Sequence, residues 1–301
     1  MRQFSVRGHN AGRRRISGST HPAARPMPTI ITFPFRGARS LGDTADPVRV
    51  AYDALAPAYD AFTASYRHDL WLAEIERLAI AHGLEGRRQF DVACGTGKSF
   101  LPLLERGYAV TACDLSPEMA RRAAGKAPTA RVLVADMRRL PTLGAFDLVT
   151  CLNDAVNYLL DPNHVASVFA GIARHLAPRG VAVWDVNTLH MVRSSFSSDW
   201  VADRGEWFLA WRGGASADVA PGAVVEARVD GFRHRGGAWQ RTTSHHRQRH
   251  WPIDEITRLA REAGLDVLQV LGQHRSARLE TTLDERRHIK ALIVARRAQP
   301  P

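Results

Sequence analysis

No stretch of the chain holds the ~20 consecutive apolar residues that a membrane-crossing helix needs, so no membrane anchor is expected. Cysteine is scarce. Cys94, Cys113 and Cys151 are odd in number, which excludes a fully paired disulfide framework and fits reduced thiols in the cytoplasm. Lysine is scarce too: only Lys98, Lys126 and Lys290 stand among 41 basic residues, an arginine bias typical of GC-rich bacterial coding. No internal repeat occurs, so a solenoid is not expected. With 45% hydrophobic residues, the 301-residue chain has the composition of an ordinary globular protein of one large domain or two small ones.

The net charge of +11 would suit a nucleic-acid partner, but it is unevenly placed. Residues 1–46 hold eight arginines against Asp43 and Asp46, a net of +6, which leaves only +5 for the other 255 residues. This leader is rich in Gly, Ser and Pro and lacks periodicity, so disorder is expected. It reads as an overlong translated segment with the start at Met27, although its acid-poor, arginine-rich character also resembles a transit peptide.

The most informative segment is Phe90-Asp-Val-Ala-Cys-Gly-Thr-Gly-Lys-Ser99, followed by Asp114 at the end of an apolar run, seventeen residues after Gly97. A strand, a glycine turn, a helix starting near Lys98 and an acid on the next strand tip form a ribose-binding arrangement, in which the carboxylate holds two hydroxyls. Two cofactor classes fit poorly. A phosphate loop, G-x-x-x-x-G-K-[ST], would need glycine where Val92 stands, and a dinucleotide fingerprint would need it at Phe100.

Asp91-Val-Ala-Cys-Gly95-Thr-Gly97 resembles the first motif of the class I S-adenosylmethionine-dependent methyltransferase family, with Ala93 and Lys98 replacing two of its glycines. Asp114-Leu-Ser-Pro-Glu-Met119 resembles the second motif, with Ser116 as N-cap and Pro117 at the first helical position. Ala135-Asp136-Met137, the strands Phe146–Leu152 and Gly180–Asp185, and the turn at Pro178–Gly180 follow in the family's order, so the resemblance spans about residues 48–298. It implies a Rossmann-like doubly wound α/β sheet of seven strands, the last antiparallel, with S-adenosylmethionine as cofactor. It further implies cofactor contacts at Asp91, Ala93, Cys94, Gly95, Gly97, Asp114, Leu115, Met119, Asp136, Met137, Leu152 and Asn153. A helix over Val48–Tyr66 would cover the cofactor, bringing Tyr59, and its neighbour Tyr52, to the methionyl end.

The pattern changes between about Met191 and His250. Segments at Glu206–Trp211, Ala223–Val229 and Trp239–His246, split by glycine pairs, read as antiparallel strands. The expected organisation is a leader (1–46), a cofactor-binding core (47–190), an inserted antiparallel cap that holds the acceptor (191–250), and a closing helix and strands (251–298). Trp207, Phe208, Trp211, Phe232 and Trp239 are candidates to line the acceptor pocket.

Catalytic candidates are Asp154 and Tyr158, in a helix opened by Asn153, and His246 on the cap. His246 and His250 share a strand face with Gln248, whereas His245 points away. A hydroxyl acceptor would profit from such a base, and a neutral amine would not need one. Three histidines on opposite strand faces make a poor metal site. Asp154, Asp185 and Asn187 could instead mimic the magnesium ligands of catechol-type enzymes, but two carboxylates at strand tips are commonly plain edge residues, and no metal is assigned. The chain lacks the [DNS]-P-P-[FYW] motif of DNA amino-methyltransferases, any Pro-Cys nucleophile, and the paired-glutamate loop of protein arginine methyltransferases. A small-molecule acceptor is therefore expected, methylated at N or O in specialised metabolism, by an enzyme that can form a homodimer. An RNA-modifying enzyme using the basic leader, or a noncatalytic cofactor-binding protein, would share the same glycine turn.

Overall fold

A computed structural model describes residues 31–32 and 45–299. In chain order its strands are β1 (Ile31–Thr32), β2 (Arg88–Val92), β3 (Ala109–Asp114), β4 (Arg131–Val134), β5 (Phe146–Cys151), β6 (Leu176–Asn187), β7 (Asp199–Arg204), β8 (Trp207–Gly213), β9 (Val224–Arg235), β10 (Ala238–Arg249), β11 (Leu265–Gln273), β12 (Leu279–Glu280) and β13 (Lys290–Arg297). The helices are α1 (Pro47–Leu55), α2 (Tyr59–Phe62), α3 (His68–Ala81), α4 (Leu101–Glu105), α5 (Pro117–Lys126), α6 (Pro162–His175), α7 (Leu189–Ser195) and α8 (Ile253–Glu262).

The main sheet runs β1-β4-β3-β2-β5-β6-β13-β11-β12. Its seven longer strands match the expected count, and two-residue strands extend both edges. Of the seven, β13 alone runs opposite to the other six, pairing antiparallel with both β6 and β11. β13 also shows why the sheet is covered on both faces. Its Ala291, Ile293 and Ala295 enter one apolar cluster with α6 and α8, while Leu292 and Val294 enter another with α3 and α5. The crevice above the carboxyl ends of β2, β3, β4 and β5 is where such a sheet places its ligands.

The second sheet, ordered β10-β9-β8-β7, is antiparallel and lies in the chain between β6 and β11. Gly236 and Gly237, both in the left-handed region, close the β9–β10 hairpin as a two-residue turn. Trp207 and Leu209 from this sheet pack on Leu55 and Ala58 of the α1–α2 segment. That apolar contact fixes α1 as the roof of the crevice.

Several local expectations shift. The Val48–Tyr66 helix divides into α1 and α2 around Ala56-Pro57-Ala58, as a proline inside a helical run would require. The helix after the glycine turn begins at Leu101 rather than Lys98, because residues 95–100 form successive turns. Asn153 does not open a helix: Ala155–Tyr158 is one 3₁₀ turn, and α6 starts later, capped by Asp161. The Pro178–Gly180 turn is a bulge within β6, where pairing passes from Phe146–Leu176 to Leu148–Val181. Within the leader, Ile31–Thr32 pairs with β4 and Asp46 caps α1, while residues 1–30 and 33–44 lie outside the described ones.

Candidate functional site

The first cleft forms where β2, β3, β4 and β5 end beneath α1 and α2, and encloses about 850 Å³, part of it open to solvent. Its floor is the turn after β2. Ala93 and Gly95 adopt φ of 58° and 54°, so both sit in the left-handed region. Asp114 ends β3 with its carboxylate accepting the Gly95 N–H and the Ser116 N–H, each at 2.8 Å. Burial pushes this carboxyl up to about 6, against those two backbone hydrogen bonds. Ser116 caps α5 by accepting the Met119 N–H at 3.1 Å.

Ala93, Cys94, Gly95, Asp114, Leu115, Asp136, Met137, Leu152, Asn153, Tyr158 and Tyr59 all line this cleft. Three residues grouped with them on the sequence do not. Asp91 lies under the turn, accepting hydrogen bonds from Ser99 Oγ and Thr150 Oγ1 at 2.5 Å, and burial raises it to about 7. Met119 is wholly buried beneath the α5 cap, and Gly97 faces Phe100 and Ala123 rather than the cleft. Asp136 is tied bidentately to Arg138, which also reaches Asp46 at the head of α1. The sequence reading missed this Arg138–Asp46 link across the mouth of the cleft.

A second and larger cleft, about 1850 Å³ including space open to solvent, lies between the α1–α3 segment, the ends of β6 and β11, and the antiparallel sheet. Tyr52, Tyr59, Asn153 and Tyr158 line both clefts and form the boundary between them. Here the three catalytic candidates converge. Tyr158 Oη and His246 Nδ1 share a hydrogen bond of 2.9 Å, and Ser244 Oγ lies 2.9 Å from the other ring nitrogen. Burial lowers His246 to about 4 and raises Tyr158 above its ordinary value, so both are neutral near pH 7. Asp154 accepts from Gln248 Nε2 at 2.6 Å and from Lys290 Nζ at 2.8 Å.

The Asp154, Asp185 and Asn187 set weighed for a metal is filled by protein: Lys290 Nζ lies 2.8 Å from both carboxylates. Among the described residues one further donor cluster occurs, His274, Glu280 and His288. His288 Nδ1 accepts the Asp284 N–H, which leaves the ring proton on Nε2, aimed at Glu280. Arg278 and Arg287 also pair with Glu280, so this cluster is saturated without an ion. His250 sits apart, near Glu285.

A family profile described as a methyltransferase domain matches residues 90–180, the stretch from the glycine turn to the β6 bulge. The YqeM protein of Bacillus subtilis (strain 168), named as a methyltransferase, is 30% identical over 224 residues, covering 73% of this chain and 88% of its own. The chain belongs to the class I S-adenosylmethionine-dependent methyltransferases. A dTDP-4-amino-2,3,4,6-tetradeoxy-D-glucose N,N-dimethyltransferase of Saccharopolyspora spinosa shares 34% identity over 132 residues, 42% of this chain and 52% of its own. An S-adenosylmethionine-dependent methyltransferase structure from Clostridium acetobutylicum ATCC 824 shares the fold at a TM-score of 0.70 and 22% identity, over 82% of this chain and 99% of that one.

The methyltransferase's first cleft suits its cofactor chemically: a carboxylate at the β3 tip for two ribose hydroxyls, apolar Leu115 and Met137 beside it, and two tyrosines above. Ala93, which occupies the family's usual glycine position, holds the same left-handed conformation a glycine would adopt. Ala93→Gly should therefore raise stability by about 1 kcal/mol, readable as a higher denaturant midpoint at unchanged slope.

Of the five cap aromatics, only Trp211 reaches the second cleft. Trp207 is buried in the core between the cap sheet and α1–α2, while Phe208 and Trp239 are exposed. Phe62 and Trp200 line the cleft instead, with ring centroids 5.6 Å apart, and Trp200 stacks parallel to Trp211 at 6.3 Å. Lys290 was also missed. Its signal was a lysine heading the apolar run Ala291–Ala295 in a chain with only three lysines.

Proposed function

We propose that this methyltransferase transfers a methyl group to an amine of a small-molecule acceptor seated in the second cleft. The observation that carries the reading is the shared wall of Tyr52, Tyr59, Asn153 and Tyr158, since a group held there faces both clefts. Bound S-adenosylmethionine supplies an electrophilic methyl on a cationic sulfur, and the acceptor's lone pair takes that methyl as the C–S bond breaks with its electrons on sulfur. Asp114 would hold the ribose hydroxyls, and Tyr59 and Tyr52 would close over the reacting end.

The amine preference follows from His246. A ring lowered to about 4 is a poor base at neutral pH, so a hydroxyl would gain little help from it, whereas a neutral amine needs none. In this reading His246 fixes Tyr158, whose protonated hydroxyl orients the acceptor at the boundary. The likeness to an amino-sugar N,N-dimethyltransferase supports an acceptor of the amino-sugar kind. Three unbonded, buried cysteines support action in the cytoplasm.

The test is methyl-labelled S-adenosylmethionine offered with nucleotide-linked amino sugars and their hydroxyl counterparts, alongside calorimetry with S-adenosylhomocysteine. Label on the amines alone is expected. Label on the hydroxyl compounds instead would sink the amine assignment, and no S-adenosylhomocysteine binding would sink the site itself.

A further inference from the structure

The acceptor cleft carries an unusual polar floor. Asn153 and Asp154 have φ of 60° and 55°, two successive non-glycine residues in the left-handed region. Asn and Asp reach this region more readily than other non-glycine residues, and a local acceptor holds the pair there. Asp185 does so: its carboxylate accepts the N–H of both residues at 2.7 Å. Lys290 in turn spans Asp185 and Asp154. Burial raises Asp185, against the pull of Lys290, and Asp154 is the one member of the three that lines the cleft.

Asp154 also sets the polarity of two amides. An ionised carboxylate only accepts, so Gln248 must present its NH₂ to Asp154 and its carbonyl oxygen to the next partner. That oxygen accepts from Asn187 Nδ2 at 2.9 Å, which turns Asn187 Oδ1 away from the chain of bonds. Asn187 is 2% exposed, and its Oδ1 is buried without a partner. A buried, unpaired acceptor is costly in a protein that has no use for it. Asn187 and Gln248 both line the cleft. Other ionisable groups line the same cleft. His246 and His68 are both lowered to about 4 by burial, with Lys98 adding to the effect at His68, while Arg67, Arg204 and Arg275 stand exposed at the rim.

Resting on the methyl-transfer reading above, we infer that Asp154 is the amine-binding group of this methyltransferase and that Asn187 Oδ1 takes a second donor of the same acceptor. Asp185, Lys290 and Gln248 are positioning residues that act through Asp154. Asp154 lies on the acceptor side of the shared wall, so its charge favours positive charge arriving on the acceptor nitrogen over charge left in the cofactor cleft. An alcohol, with one donor and no cationic product, draws less from this floor.

Sinefungin, in which an amine-bearing carbon replaces the methylsulfonium, places an ammonium at the boundary and reads this charge without any acceptor. Calorimetry should show it binding wild-type protein about tenfold tighter than S-adenosylhomocysteine. In Asp154→Asn that preference should vanish, with S-adenosylhomocysteine affinity held within about twofold. Equal binding of the two ligands by wild type would overturn the inference without recourse to a variant, as would a preference that survives Asp154→Asn. Failure of both ligands to bind wild type would instead remove the cofactor reading on which it rests.

Discussion

Lys290→Met is expected to cost about 3–5 kcal/mol of folding stability, the usual penalty for removing one partner of a buried ion pair. Lys290 is 1% exposed, and its ammonium lies 2.8 Å from both Asp154 and Asp185. Burial alone would depress the lysine, but Asp154 and Asp185 outweigh that and hold it above its ordinary value. A raised lysine contributes stability that is fully present below its unfolded value, near 10.5, and is lost only as pH climbs through the still higher folded value. The wild-type contribution is therefore level across neutral pH. Without the ammonium, Asp185 is left buried with only backbone donors. Urea unfolding at pH 7 should show the loss, against a total of about 5–15 kcal/mol for a typical domain. Adding Asp185→Asn should recover part of it, because the unpaired charge is removed while one of the two backbone N–H groups keeps its acceptor. A single variant as stable as wild type would mean that the pair contributes nothing.

The second large effect is expected at Asp114. Two charge-assisted hydrogen bonds from a ribose are worth about 1.5–3 kcal/mol each before the cost of desolvation, so Asp114→Ala should weaken S-adenosylhomocysteine about a hundredfold. The pH dependence carries an independent signature. Asp114 stands at about 6 in the free protein, so near pH 5 it is largely protonated and one oxygen no longer accepts freely. Affinity should be flat above about pH 7 and fall about tenfold per unit below pH 6, while Asp114→Asn should be weak and flat throughout. For folding the sign is opposite. A carboxyl raised in the native state binds protons more readily than the unfolded chain, so this group's contribution to stability improves as pH falls from about 6 toward 3.8. Asp91, at about 7, lies outside the cleft and should not set the binding curve. A wild-type affinity indifferent to pH between 5 and 7 would remove Asp114 from the ribose site.

The first cleft, the proposed cofactor site, was legible because its signals are local. The glycine turn, the acid at the tip of β3 and the Ser116-Pro117 helix start each depend on a few consecutive residues, and strand order in a doubly wound sheet brings them together. The acceptor floor was not, because Lys290 meets its partners across 136 and 105 residues of chain. Asp185 was visible only as a strand-tip acid, and nothing near it announces the lysine. On the cap, alternation separates inward Trp207, Leu209 and Trp211 from outward Phe208. It says nothing about which inward residue meets the α1–α2 segment and which reaches the cleft. β7 escaped notice because Asp199-Trp-Val-Ala-Asp-Arg204 has no buried face to impose a period.

The roof has a consequence for turnover. The α1–α2 segment makes its apolar contact with the antiparallel sheet, through Leu55 and Ala58. Polar tethers join it to the cofactor-binding side: Asp46 to Arg138, Asp53 to Ser116, and Asp60 to Thr96 and Lys126. The antiparallel sheet is itself bonded to the parallel-sheet body, Gln248 to Asp154 and His246 to Tyr158, so the roof is held from both sides. Tyr52 and Tyr59 travel with that roof and wall both clefts. Any shift of the roof therefore alters both clefts at once, and since its tethers to the cofactor side include ion pairs, its hold there should weaken as ionic strength rises.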